Sequence, residues 1–211
     1  MTPPCSRPIP ATKGCSVDFS EVRRNLEKNR FVVSCFSDCE SASRHLEEAV
    51  EKEVVGFGGS VTLRDMGLYE RLAGKNTVLW HWVDKTARSR YSELTAYVTS
   101  ANAIAETGEI VNMESSGNRV SGSLFGPKKV FFVAGRNKVC PDLSSAIRRA
   151  RTVASPLNAR RLDVPTPCVA DGICHDCDSP SRICCAINIQ MRPIMNIEHT
   201  EVILIDQELG L

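Results

Sequence analysis

The sequence lacks an excess of charge of either sign: 26 Lys and Arg stand against 25 Asp and Glu in 211 residues, a formal net charge of +1. Proteins dedicated to nucleic acid or to membrane surfaces usually carry a basic surplus that neutralises phosphate, so this balance argues against both. Long apolar runs are missing too. Nowhere do eighteen consecutive apolar residues occur, and the opening Met-Thr-Pro-Pro-Cys-Ser-Arg holds no apolar core of a signal peptide. No membrane insertion is expected, and the chain reads as cytoplasmic. Apolar content is not lacking: at 42% hydrophobic with almost no net charge, the composition excludes disorder and suits one globular domain with enough length to bury a core.

Cysteine is absent over one long interval and crowded in another. None lies between Cys39 and Cys140, whereas five of the ten, Cys168, Cys174, Cys177, Cys184 and Cys185, fall within 18 residues. A secreted scaffold would spread its disulfides along the fold, so the crowding points to metal. Cys168, Cys174, Cys177 and Cys184 are the proposed ligands. Four thiolates can hold a tetrahedral zinc or a [4Fe–4S] cluster. Structural zinc usually shows two paired knuckles, while a cluster spans several ångströms and suits a staggered spacing with a single C-x-x-C, so the cluster is favoured. Zinc, free thiols or a redox disulfide remain open. Cys185 adjoins Cys184 and is a spare or substitute ligand. Cys5, Cys15, Cys35, Cys39 and Cys140 carry no assigned chemistry.

The first seventeen residues hold four prolines and no periodic pattern, and are read as a loose arm. From residue 18 to 211 the chain reads as one domain with regular alternation. Asp18-Phe-Ser-Glu21 suits a capping box opening a helix, Phe31–Cys35 a buried strand, and Ser41–Lys52 a helix with Leu46, Ala49 and Val50 on one face. Glu53–Phe57 and Thr77–Trp80 read as strands, Thr86–Glu93 as a helix, and 95–113 as extended pieces broken at the Glu106–Glu109 turn. Lys129–Ala134 is the clearest buried strand, and Asp142–Ala154 the clearest later helix. Glu201–Asp206 reads as the last strand, which makes the cysteine stretch (165–186) an insertion between the final helix and the final strand. Alternation of this kind predicts an α/β fold, a mostly parallel sheet flanked by helices.

Two segments carry further candidate chemistry. Gly58-Gly-Ser-Val-Thr62 follows a strand and opens a helix, where backbone N–H groups can meet an anion. It is neither a Walker loop nor a dinucleotide fingerprint, and the alternative is a turn needing glycine for positive φ. Between residues 99 and 119 donors, acceptors and carboxylates crowd beside Ile and Val. At the carboxyl edge of a parallel sheet this is where ligands bind. Glu106 is the candidate base or nucleophile, Ser100, Asn102, Asn112 and Asn118 orient the ligand, and Arg119 is an anion partner; the alternative, which residue types alone favour, is a turn with Glu106 on the surface. Lys138, just past a strand end, can reach an anion in the same crevice or remain solvated. His81, between Trp80 and Trp82, is read as a hydrogen-bonded structural histidine.

The strings GFGGSVTLRDMGL (56–68), TSANAIAETGEIVNMESSGNRV (99–120), FGPKKVFFVAGRNKV (125–139), ASPLNARRL (154–162) and TPC-x5-C-x2-C-x2-P-x-RICC (166–185) resemble the LUD, or lactate-utilisation, domain family, also known as DUF162. The cysteine motif marks a subset of it. The resemblance implies an architecture like that of the sugar-phosphate isomerase and CoA-transferase superfamily (NagB/RpiA-like). It also implies a role in oxidation of L-lactate or related organic acids, beside partners that carry iron–sulfur clusters. The isomerase Asp-Gly-Ala-Asp and Lys-Gly-Gly-Gly motifs are missing. The expectation is a protein that binds a small anionic metabolite (a hydroxy acid, a phosphorylated or a CoA-linked compound) with a cluster acting in electron transfer or as a Lewis acid. The alternative is a non-catalytic accessory subunit of an iron–sulfur oxidoreductase with a structural metal.

Overall fold

A computed structural model describes residues 18–211; the arm of residues 1–17, with Cys5 and Cys15, lies outside the described residues. The chain runs α1 (Ser20–Lys28), β1 (Val32–Phe36), α2 (Cys39–Ala49), β2 (Val54–Phe57), α3 (Val61–Asp65), α4 (Leu68–Ala73), β3 (Thr77–Leu79) and a 3₁₀ segment (Lys85–Glu93). Then come β4 (Ala96–Thr99), β5 (Ala103–Ala105), β6 (Ile110–Glu114), α5 (Asn118–Leu124), β7 (Lys129–Gly135), β8 (Val139–Cys140) and α6 (Leu143–Arg149). The last part holds α7 (Ser155–Leu162), α8 (Pro167–Asp171), β9 (Ala186–Gln190) and β10 (His199–Ile205).

Six strands in the order β1-β10-β7-β4-β2-β3, all pairs parallel, form the main sheet. Its middle strands are apolar on both faces because helices cover both. Along β7, Val130, Phe132 and Ala134 join one core with Val22 and Leu26 of α1, while Phe131 and Val133 join the other with Leu46 of α2 and Leu63 and Leu68 of the next helices. β10 alternates in the same way, Val202 and Leu204 against Ile203 and Ile205. Three helices, α2, α3 and α6, start where short polar side chains accept backbone N–H groups: Asp38 from Ser41, Ser60 from Leu63 and Asp142 from Ser145. Among the described residues no helix is long and apolar enough to cross a membrane.

Several expectations are corrected. The segment at Phe31–Cys35 is an edge strand with Val32 46% exposed, and β10 lies inside it, between β1 and β7. Asp18 accepts from Ser20 N in a local turn, and α1 opens behind Phe19 without a side-chain cap. The helix expected over 142–154 continues to Leu162. Pro156 removes an amide from that rod, and a π segment (Ala150–Ala154) precedes it, turning Val153 outward to 42% exposure.

The extended pieces expected over 95–113 divide between two sheets: β4 joins the main one, while β5 and β6 join β8 and β9 in a second, four-stranded sheet, β8-β5-β6-β9. It packs Ala103, Ala105 and Val111 on Ala146 and Ala150. β9 lies antiparallel to β6, so the cysteine stretch is followed first by this strand and only then by β10.

At the amino end of the main sheet, Glu201 is 3% exposed and accepts from Ser34 Oγ (2.6 Å), with His45 Nε2 at 2.7 Å and His199 Nε2 at 3.1 Å. Burial pushes its carboxyl up, but the bonds to His199, Ser34 and His45 outweigh that and hold it below the ordinary value. A depressed folded value stabilises above the unfolded carboxylate value, about 4.3, and that contribution is lost as pH falls through the folded value. Glu201→Gln is expected to cost about 1–3 kcal/mol at pH 7. In urea melts the gap to the wild type should begin to narrow as the pH falls below the unfolded value of about 4.3; a gap constant from pH 7 to pH 2 would contradict the account.

Candidate functional site

Because the central strands are parallel, the segments leaving their carboxyl ends meet on one edge. Gly59–Thr62 follow β2, Ser100–Asn102 follow β4, Lys138 follows β7, and Leu211 follows β10; together they line a cleft. Asn158 and Arg161 of α7, Arg119 of α5 and Trp82 complete it.

Lys138 is the unusual residue of this cleft. It is 3% exposed, and its Nζ donates to Ser100 Oγ (2.8 Å) and Thr62 Oγ1 (2.9 Å). Burial, then the charges of Arg149 and Arg119, hold its amine well below the ordinary lysine value. Among the described residues no carboxylate stands within ion-pair distance of Lys138 or Arg161. Arg119 Nε is 3.2 Å from Glu114, a buried carboxylate pushed up by desolvation and only partly restored by Arg119. Arg161 donates to Asn158 Oδ1 and lies over the Trp82 ring at 4.9 Å. Arg149, which sequence reasoning missed, reaches the carbonyls of Asn102 and Asn137 and braces the cleft from behind.

The sequence candidates divide accordingly. Gly59, Ser60, Thr62, Ser100, Asn102, Arg119 and Lys138 all line the cleft. Asn102 accepts from Met113 N and Arg119 Nη1, and Asn112 Oδ1 accepts from Asn102 N, so these two amides hold the β5–β6 hairpin in place. Asn118 lines an adjoining cleft with Gly59 and His81, its Nδ2 3.5 Å from His81 Nε2. Desolvation, then Arg88, keeps His81 below the ordinary histidine value.

Two expectations fail. Glu106 sits at the far end of β5, where its backbone bonds Cys140 and Asn25, and it does not line the cleft. Gly58 and Gly59 do not have positive φ. Gly58 is needed for close approach instead: a Cβ there would lie 2.5 Å from Thr99 Oγ1.

The cysteines form a separate recess. Cys168, Cys174, Cys177 and Cys184 all line one pocket, closed by Ser155, Pro156 and Ala159 of α7. Arg182 ties the loop by donating to the carbonyls of Cys177 (2.7 Å) and Cys184 (3.0 Å), and Arg151 and Arg182 share Asp176. Cys185 turns away, exposed, with its N–H on the Glu114 carbonyl, so Cys184 is the member of the pair that faces the recess. Four thiols around one recess, with two arginines beside them, fit the donor set and charge of a thiolate-bound cluster. Among the described residues no three His, Cys, Asp or Glu side chains gather closely enough to hold a single ion.

These features define an α/β protein with a polar, cation-lined cleft at the carboxyl edge of its parallel sheet. The sequence profile of the LUD domain matches residues 19–205, and the chain belongs to that family. The crystal structure of a DUF162 family protein from Deinococcus radiodurans shares the fold, with TM-score 0.53 at 10% identity over 90% of this chain and 99% of that one. Ribose 5-phosphate isomerase A from Neisseria gonorrhoeae overlaps 50% of this chain and 54% of its own at TM-score 0.33 and 17% identity. Ribose 5-phosphate isomerase from Plasmodium falciparum overlaps 49% and 52% at TM-score 0.32 and 14% identity. Overlap of that extent carries no argument about this chain. No curated protein sequence matches it.

Gly58→Ala should force β2 away from β4 and cost about 1–3 kcal/mol, whereas Gly59→Ala, whose Cβ would find its nearest neighbour at 3.5 Å, should leave the melting temperature within a degree or two. Equal melting temperatures for the two variants would refute the close-packing account.

Proposed function

We propose that this LUD-family protein acts in organic-acid metabolism of the lactate type, in the cytoplasm, and binds a small anionic metabolite in the cleft around Lys138. The observation that carries the reading is a cleft in which Lys138 is buried and Arg161 stands at the mouth, neither paired with a carboxylate among the described residues. A guanidinium at the mouth with no carboxylate partner is free to receive an anion, and the polar groups beside it supply hydrogen bonds to one. Arg161 steers and receives the carboxylate, Asn102 fixes Arg119, and Ser100 and Thr62 hold the Lys138 amine.

Cys168, Cys174, Cys177 and Cys184 would hold a [4Fe–4S] cluster, which when bound supplies one-electron transfer. The staggered spacing with a single C-x-x-C suits a cluster, which spans several ångströms, better than zinc, whose structural sites usually show two paired knuckles. None of the four lines the metabolite cleft, and α7 stands between the two sites. That separation favours electron transfer over Lewis-acid contact with the substrate, with iron–sulfur oxidoreductase subunits as electron partners.

Titration calorimetry with L-lactate and with pyruvate tests the cleft: Arg161→Gln should weaken binding at least about tenfold, ~1.4 kcal/mol, and equal affinity, or no binding of either acid by the wild type, overturns the reading. Anaerobic purification tests the cysteines. The wild type should carry iron and sulfide, and Cys174→Ser with Cys177→Ser should lose both while retaining its circular dichroism; a colourless wild type with stoichiometric zinc overturns the cluster.

A further inference from the structure

We infer that Lys138 is a carbonyl-reactive amine, and that the cleft takes 2-oxo acids as covalent imine partners of its Nζ. The inference rests on the reading of the cleft as an organic-acid site and adds a substrate class and a bond to it.

The geometry carries the argument. A neutral amine has two N–H groups and one lone pair. Both N–H groups are used, by Ser100 Oγ at 2.8 Å and Thr62 Oγ1 at 2.9 Å, so the lone pair is the one valence left for an electrophile. An ammonium would bring a third N–H into a site 3% exposed that has no carboxylate at ion-pair distance among the described residues. The neighbouring charges of Arg149 and Arg119 disfavour that ammonium further, and Asp65 offsets them only in part. A lysine kept for electrostatic anchoring alone has no need of this placement, since anchoring requires its charge; burial beside cations is how an amine is kept nucleophilic.

The same cleft supplies the other half of the recognition. Arg161 stands at its mouth over Trp82, and Arg119 is held by Asn102 Oδ1 at 3.0 Å. A carboxylate on these guanidinium groups places an adjacent carbonyl carbon towards Lys138, and a 2-oxo acid is the smallest anion with that arrangement. In the reaction the Nζ lone pair forms a C–N bond to the C2 carbon while the C=O π pair moves to oxygen. Both amine protons pass to that oxygen through the Ser100 and Thr62 hydroxyls, and it leaves as water. A C=N bond remains; nothing is oxidised or reduced, and no co-reactant is needed.

The test is reductive trapping. The full chain is incubated with pyruvate and sodium borohydride, digested, and mapped by mass spectrometry, with titration calorimetry against pyruvate and L-lactate in parallel. The expected result is an adduct on Lys138 that requires both reagents, forms at least about tenfold faster than on exposed lysines such as Lys75 or Lys128, and slows about tenfold in Arg161→Gln. Lys138→Met, which removes a buried amine without a carboxylate partner, should melt no lower than the wild type and show no adduct at position 138. The wild-type map decides the matter even if that variant misfolds. Binding of pyruvate or L-lactate without a Lys138 adduct overturns this inference and leaves the cleft reading standing. Labelling spread evenly over surface lysines also overturns it, and no binding of either acid overturns both.

Discussion

The parallel registry of β2, β4, β7 and β10 is the constraint on which the rest depends. Phe57 lies beside Val98, Thr99 beside Phe132, and Gly135 beside Ile205, so β2 and β4 end within a residue of each other while β7 and β10 run three residues further. The residues that follow them are delivered to a single edge. Thr62, Ser100 and Lys138 are 38 and 76 positions apart in the chain, yet their side chains bond one another because three neighbouring parallel strands lead to the same edge. Moving one strand by a residue would exchange the two cores and dismantle this contact at once.

The apolar sheet also explains how a lysine is kept nearly solvent-free. Lys138 leaves β7 directly after its run of buried residues, and the short 3₁₀ turn Arg136–Lys138 aims it back under the cleft floor. Arg149 fixes that turn by donating to the Asn137 carbonyl, while Asn137 accepts from Leu209 N. The site is therefore held by backbone bonds from three separated segments, which suits a group whose reactivity depends on staying dry.

Much of this was legible in the residues. Runs such as Lys129–Ala134 and Glu201–Asp206 announce doubly buried parallel strands, and the polar clusters beside them announce the carboxyl edge. Thr62, Ser100, Asn102, Arg119 and Lys138 could be named from that logic alone. Glu106 could not be placed, because residue type does not tell which end of a three-residue strand faces the cleft; β5 points it towards α1. The small sheet escaped notice since β5 and β8 are too short for a period-2 signal, and β9 has Ala186 and Ile187 exposed. The helix after Asp142 was cut at Ser155-Pro156, where a π turn in fact absorbs the missing amide. Arg149 carries no sequence signal at all: its role arises from a helix laid across the sheet edge.

That same helix joins the two halves of the site. Along α7, Pro156 and Ala159 close the cysteine recess, whereas Asn158 and Arg161 face the polar cleft. Its amino end is continuous, through the π segment, with Arg149 and with Arg151, which reaches Asp176 between Cys174 and Cys177. On the far side, Cys185 N bonds the Glu114 carbonyl, and Glu114 is the partner of Arg119. A change in how the cysteine loop is packed thus meets the cleft from two directions, through α7 onto Arg161 and through β6 onto Arg119. Under the proposed reading these contacts would couple occupancy of the thiols to affinity for the anion, and linkage of that kind would act equally in both directions.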